Sequence, residues 1–378
     1  MNHVRAIILT GLCALPFAAM ADLHISGFGS IKFGKTFGTV DDPINIGERR
    51  DAIFTADFYD VGQYDNDLNF RPESKIAIQG SYSFSPKLSV TAQALAKGVD
   101  NFRPEFRWYY LTYRANDNWT FMAGRRNIPM YYYSEFYEVG YAYPWMRPPA
   151  NLYWWQVTQF DGIHASYNFN WGSLDHTITA FHGNEYSYDN KEMNYYERLY
   201  GNPVFQVDEF WTNITGFNWV IEGASFDIRM VYFQNDRDRT RFFNDGTIDK
   251  SPSFSQTFMG IGGSYYLNNF TFLFDANYVN YDDPERDTRF PTYLLSVVYR
   301  IGDYQPYISY SKADHHRKKA TNSKDLEEHQ LWSIGVRYDF RPNIAFKIQF
   351  DKFDDQGGPG WDYHGSSKLL AAGIDFVF

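Results

Sequence analysis

The chain has 378 residues and a formal charge of −10, and a fifth of its residues are aromatic although its mean hydropathy is −0.49. The acidic balance argues against nucleic-acid binding, and a single cysteine, Cys13, excludes a disulfide framework. No stretch beyond the N-terminus supplies the ~18 uninterrupted apolar residues of a membrane-spanning helix.

Rings this numerous in a chain this hydrophilic fit a transmembrane β-barrel. Such a barrel needs an apolar outer face, a wet interior and aromatic girdles at both lipid headgroup levels. At the N-terminus Arg5 precedes an apolar run over residues 6–18, and Ala19-Met20-Ala21 closes it, so residues 1–21 read as a cleavable secretory signal peptide. Cys13 is an apolar residue of that segment, because Leu12 before it is too large for a lipoprotein cleavage site. Residues 22–378 are expected to form one barrel domain.

That domain opens with Leu23, Ile25, Gly27, Gly29, Ile31 and Phe33 on one parity and His24, Ser26, Phe28, Ser30 and Lys32 on the other, a strand with one greasy and one mainly polar face. The pattern then recurs in pairs joined by tight turns such as Ser85-Pro86-Lys87, Asn116-Asp117-Asn118, Leu267-Asn268-Asn269 and Arg341-Pro342-Asn343. Longer acidic connections alternate with the tight turns. Strand starts near 23, 74, 88, 105, 118, 160, 173, 210, 224, 255, 270, 291, 303, 328, 343 and 367 give about sixteen strands. The expected fold is all-β, an antiparallel up-and-down transmembrane barrel with its short turns and both termini on one side. Either parity is arguable for the strands near 173 and 210.

Residues 127–159 show neither strand alternation nor helical spacing. They hold Pro129, Pro144, Pro148 and Pro149 among Tyr131, Tyr132, Tyr133, Phe136, Tyr137, Tyr141, Tyr143, Trp145, Tyr153, Trp154 and Trp155. A loop this long and aromatic needs something to pack on, and the expectation is that it folds into the barrel lumen and narrows it.

With the greasy parity facing lipid, the other parity names the pore wall. It carries Lys32, Lys75, Lys97, Arg107, Arg229, Arg300, Arg337 and Lys347 against Glu73, Glu105, Asp227, Asp275, Asp339, Asp351 and Asp375. A pentapeptide occurs twice, Asn69-Phe70-Arg71-Pro72-Glu73 and Asn101-Phe102-Arg103-Pro104-Glu105, each followed two residues on by a base, Lys75 or Arg107. Residues two apart on a strand share a face, so Glu73 with Lys75 and Glu105 with Arg107 are expected to point inward. Arg125 and Arg126 precede the long loop, and Glu135, Glu138 and Arg147 lie on it. Together with Tyr131, Tyr141 and Trp145 these residues are the expected constriction, where a basic wall facing acidic loop residues sets a transverse field.

Catalysis is a weaker reading. His164 and Ser166 share a strand face, but no carboxylate is placed to orient the histidine. His315 and His316 adjoin Arg317, Lys318 and Lys319, a basic run suited to lipopolysaccharide phosphates. No cysteine or histidine metal spacing and no glycine-rich phosphate loop is present, so no cofactor is expected.

The last strand alternates Leu370, Ala372, Ile374, Phe376 and Phe378 with Ala371, Gly373 and Asp375, and ends on a ring. It resembles the C-terminal signal of outer-membrane proteins, which implies recognition by the barrel-assembly machinery through residues 370–378. The whole chain resembles a Gram-negative outer-membrane porin, and the stretch Gly140-Tyr141-Ala142-Tyr143-Pro144-Trp145-Met146-Arg147-Pro148-Pro149 resembles a little-characterised porin-like group. The resemblance implies a homotrimer in the outer membrane, passive diffusion of small hydrophilic solutes and a third loop folded inside. The ring-rich loop leaves open a channel selective for sugars or for aromatic and organic acids, and, more remotely, a barrel hydrolase.

Overall fold

The computed structural model describes residues 23–42, 47–199, 201–282, 288–317, 327–357 and 365–378. Among them sixteen long strands, with two short ones at Ile248–Lys250 and His316–Arg317, form one closed antiparallel sheet. In chain order these are β1 (Leu23–Phe37), β2 (Lys75–Ser85), β3 (Leu88–Lys97), β4 (Pro104–Arg114), β5 (Trp119–Asn127), β6 (Gln159–Trp171), β7 (Leu174–Ser187) and β8 (Val204–Glu222). They continue with β9 (Phe226–Phe243), β10 (Phe254–Leu267), β11 (Phe270–Asp282), β12 (Thr288–Tyr299), β13 (Tyr304–Asp314), β14 (Glu328–Arg341), β15 (Ile344–Asp355) and β16 (Ser367–Val377). β1 closes the barrel, pairing Gly29 with Ile76 of β2 on one edge and with Phe376 of β16 on the other. The proposed signal peptide and Cys13 lie outside the described residues.

Every strand but β8 begins within three residues of its expected start. The period-two pattern sorts the faces: on β15 Phe346, Ile348 and Phe350 are exposed while Lys347, Gln349 and Asp351 between them are buried. The same holds at the seam, where Ile31 is exposed and Lys32 beside it is buried. The outward glycines of β1 serve that seam, since a Cβ on Gly27 or Gly29 would run into the ring of Phe378 or Phe376. Backbone bonds between Gly27 and Phe378 complete the closure.

Sequence periodicity loses the face of β8 because that strand bulges against both of its neighbours, β7 and β9. The register shifts between Gly183 and Glu185 and again between Thr212 and Thr215, with Asn213 at φ 54°. Buried positions therefore run Asn218 and Ile214 below the bulge but Trp211, Glu209 and Val207 above it, an odd-for-even exchange caused by one extra residue.

At the end opposite the tight turns, the first outer loop carries two short hairpins, Thr39–Asp41 with Arg49–Asp51 and Phe54–Asp57 with Gly62–Tyr64. The fourth contains α1 (Lys191–Leu199), capped at its start by the Asn190 side chain, which accepts the Met193 amide at 3.0 Å. The hydrophobic core joins loop rings to the unexposed faces of the strands. Trp145 and Trp155 from the long third loop, Phe54 and Tyr64 from the first, and Phe160, Trp211, Phe233 and Phe258 from the wall are each at most 2% exposed within one cluster. Each such ring removes about 150–250 Å² from water, a stabilisation of roughly 5 kcal/mol before ordering costs.

Candidate functional site

The third outer loop leaves β5 at the long-loop end of the barrel, yet its Tyr141 hydroxyl donates to the carbonyl of Pro342 (2.5 Å), in the tight turn between β14 and β15 at the opposite end. Between these points it is fastened to wall side chains. Lys347 donates to the carbonyls of Gly140, Tyr143 and Trp145 at 2.6–2.8 Å. Arg337 donates to those of Tyr141 (2.6 Å) and Tyr143 (3.1 Å) while lying under the Tyr141 ring. Trp145 Nε1 donates to Ser296, and the Met146 amide donates to Gln349. Farther round the wall the Tyr132 amide donates to Asp275 (3.0 Å), and the buried Tyr131 packs on Tyr153 and Phe258. Prolines keep residues 144–149 out of regular structure, so their amides and carbonyls are free for wall partners.

Two ionic clusters flank this strap. In the first, Arg147 bridges Glu73 and Asp351, each at 2.5 Å, with all three side chains at most 5% exposed. Lys32 lies near Glu73 and Asp375, and Lys347 reaches Asp375 at 3.0 Å. In the second, the single carboxylate of Glu138 faces three cations of the wall: Lys75 (2.6 Å), Lys97 (2.6 Å) and Arg107 (3.3 Å). Lys97 also holds Asp57 (3.0 Å) and Asp60 (2.7 Å) from the first loop, and Lys191 of α1 reaches Asp60 (3.1 Å) and Asp100 (2.7 Å). The gap between the clusters is a cavity of about 20 Å³ lined by Lys32, Asp57, Glu73, Lys97, Tyr137 and Arg147, room for about one water molecule.

Burial pushes the Glu138 carboxyl up, but Lys75, Lys97 and Arg107 together outweigh burial and hold it well below the usual carboxylate range. Asp60 is likewise held down against burial by Lys97, Arg107 and Lys191, whereas burial leaves Asp57 raised despite Lys97. For the two depressed groups the stabilisation is complete above the unfolded carboxylate range of roughly pH 4 and is lost only as pH falls toward their lowered values. Asp57 takes up a proton earlier, which favours the folded form. Thermal stability of the folded barrel is therefore expected to hold from neutral pH to about pH 5 and to fall below roughly pH 4. Melts followed by circular dichroism across that range check it, and a steep loss already between pH 7 and 5 would contradict it.

Of the residues singled out in the sequence, Glu73, Lys75, Arg107, Glu138, Arg147, Arg337, Lys347, Tyr141 and Trp145 gather on this strap and its wall. Glu73 and Lys75 do share a face, but each is paired with a loop residue and not with the other. Arg126 lies over the Tyr110 ring and 3.6 Å from Glu135. Two placements need correction, those of Arg125 and Arg300. Arg125 is bound to Glu185 (2.6 Å) and Asp161 (2.9 Å) of adjacent strands, not to the loop. Glu105 is exposed and Arg107 buried, but the pairing of Glu105 with the buried Leu95 keeps it on the inner face, and Arg107 is the extra residue where the register slips between Gln93 and Ala94. Arg300 follows β12 at the tight-turn end, half exposed and 4.0 Å from Asp339.

Sequence reasoning missed Asp57 and Asp60. They stand in Phe54-Thr55-Ala56-Asp57-Phe58-Tyr59-Asp60, whose density of rings between carboxylates is the signal that singled out the third loop. His164 packs on Phe160 and Phe181, and Ser166 shares a hydrogen bond with Thr179 (2.8 Å). The histidine and serine thus serve wall packing. His315 stacks on Phe290, while Lys318 and Lys319 lie outside the described residues.

A closed sixteen-strand antiparallel barrel with an apolar outer face and a charged interior is the architecture of an outer-membrane channel. The sequence profile of the Gram-negative porin family matches residues 9–358, and the chain belongs to that family. No curated protein matches the sequence. Among solved structures the fold is similar to the outer-membrane channel DcaP of Acinetobacter baumannii, with a TM-score of 0.60 and 11% identity over 95% of this chain and 97% of that one. It is also similar to OmpF of Salmonella typhi in complex with daunomycin (TM-score 0.56, 16% identity, 96% and 100% coverage). The trimer form of OmpT of Vibrio cholerae matches as well (TM-score 0.57, 11% identity, 94% and 99% coverage).

Proposed function

We propose that the protein is a passive diffusion channel for small hydrophilic solutes, exported with a cleavable signal peptide over residues 1–21, and that its third outer loop is folded into the lumen and narrows it. The observation that carries the reading is the reach of Tyr141 to Pro342: a loop that starts at one end of the barrel and bonds a turn at the other runs along the interior. Glu138 against Lys75, Lys97 and Arg107 supplies the transverse charge separation there, in place of the partly exposed Arg126 and Glu135. Residues 140–149 ally the chain with the little-characterised porin-like group, and residues 370–378 serve as the assembly signal. A homotrimer is the proposed state, in keeping with the trimer form of the similar OmpT.

The rings of the loop do not make an open sugar-stacking track. Tyr131, Tyr143, Trp145, Tyr153, Trp154 and Trp155 are buried against one another and the wall, so their faces are already occupied. No hydrolytic chemistry is proposed.

Planar-bilayer recording tests the channel. Folded protein is expected to give discrete conductance steps; folded protein that inserts and gives none would leave a plugged structural barrel as the better account.

A further inference from the structure

The first outer loop occupies the same basic wall as the third. The tip of its second hairpin, Asp57-Phe58-Tyr59-Asp60, brings two carboxylates and a ring to Lys97 and Arg107. Lys97 binds both aspartates, and the Tyr59 ring lies 5.2 Å from the Arg107 guanidinium. The rest of the hairpin rests on apolar neighbours, Phe58 on Trp154 and Phe54 on Phe353.

Lys75, Lys97 and Arg107 are three buried or nearly buried cations, and the third loop answers them with Glu138 alone. Were the tip to lift away, two positive charges would be left uncompensated beside the third loop, a costly state unless another anion arrives. The tip has somewhere to go. Asp60 lies between two cations, Lys97 on the wall and Lys191 on α1, so it keeps a partner when it leaves the wall.

We propose that Lys75, Lys97 and Arg107 form a binding site for a small aromatic carboxylate, and that the hairpin tip of residues 57–60 is an internal stand-in for that solute which the solute displaces. The solute's carboxylate takes the place of Asp57 and Asp60 on Lys97, and its ring takes the place of Tyr59 over Arg107, where a guanidinium favours an aromatic face. This rests on the diffusion-channel reading and names the solute class it selects.

The test is block of the potassium chloride current by benzoate in planar bilayers, with acetate and glucose as comparisons. Wild-type channels are expected to be blocked by benzoate more strongly than by acetate and not by glucose. Lys97→Gln should lose the benzoate block. Asp57→Asn with Asp60→Asn weakens the internal competitor and should lower the half-blocking benzoate concentration about tenfold, equivalent to about 1.4 kcal/mol. Conducting wild-type channels that ignore benzoate, a block that survives Lys97→Gln, or an aspartate pair with unchanged benzoate sensitivity would each overturn the site while leaving the channel reading intact. An absence of conductance from folded wild type would remove both. Should Lys97→Gln not fold, the aspartate pair decides.

Discussion

Excising residues 131–145 and rejoining the loop ends is expected to raise single-channel conductance several-fold. The barrel does not depend on this segment for closure, which comes from the continuous ladder of sixteen strands and the β1–β16 seam. The deleted segment instead supplies Tyr131, Tyr143 and Trp145, buried against the inner face of the wall, and every carbonyl that Lys347 holds. With the loop inside the lumen as proposed, its removal clears the interior from the third loop's root to the level of Pro342. Thermal stability should fall at the same time, because Phe258, Ser296 and Asp275 lose the groups they pack on or bond. An unchanged conductance in a folded, inserted variant would place the loop outside the conducting path.

Arg147→Ala is the point substitution with the largest expected effect. Its guanidinium is the bridge between Glu73 and Asp351, 5% exposed, and it also lies over the rings of Phe54 and Tyr64. Removing it leaves two buried carboxylates facing one gap, and breaking one such pair costs about 3–5 kcal/mol. The folded form should unfold at markedly lower temperature, and the current should become larger and noisier as residues 145–149 come away from β15. Arg126→Ala is the control. Its partner Glu135 is 42% exposed at 3.6 Å, and an exposed pair of that kind contributes about 1 kcal/mol or less. Equal melting temperatures for the two variants would sink the claim that Arg147 anchors the loop.

Strand order and most faces were legible in the sequence because lipid on one side and polar partners on the other force a strict alternation. The last strand is the clearest case, with Leu370 and Ile374 exposed and Leu369, Ala371 and Asp375 buried. Bulges leave no such trace. One extra residue near Asn213 exchanges the faces of β8, while the residue types at that point look ordinary. Charged candidates such as Glu138 and Arg147 could be named from their place on a ring-rich loop, but their partners come from strands far along the chain and are set by how the loop descends. Asp57 and Asp60 were passed over for a related reason: a polar first loop looks solvated until its hairpin is seen packed on Trp154 and Phe353.

A porin strand such as β2 must offer one face to lipid and the other to a water path, and cysteine accessibility tests that most directly. Residues 23–378 contain no cysteine, so a single introduced thiol is unambiguous. Ser81 lies on the inner face, bonded to Thr91, and Ile78 on the outer face is 53% exposed. In bilayer-inserted protein a charged, membrane-impermeant thiol reagent is expected to reduce the conductance of Ser81→Cys in discrete steps and to leave Ile78→Cys unchanged. Modification of Ile78→Cys with Ser81→Cys untouched would contradict the arrangement.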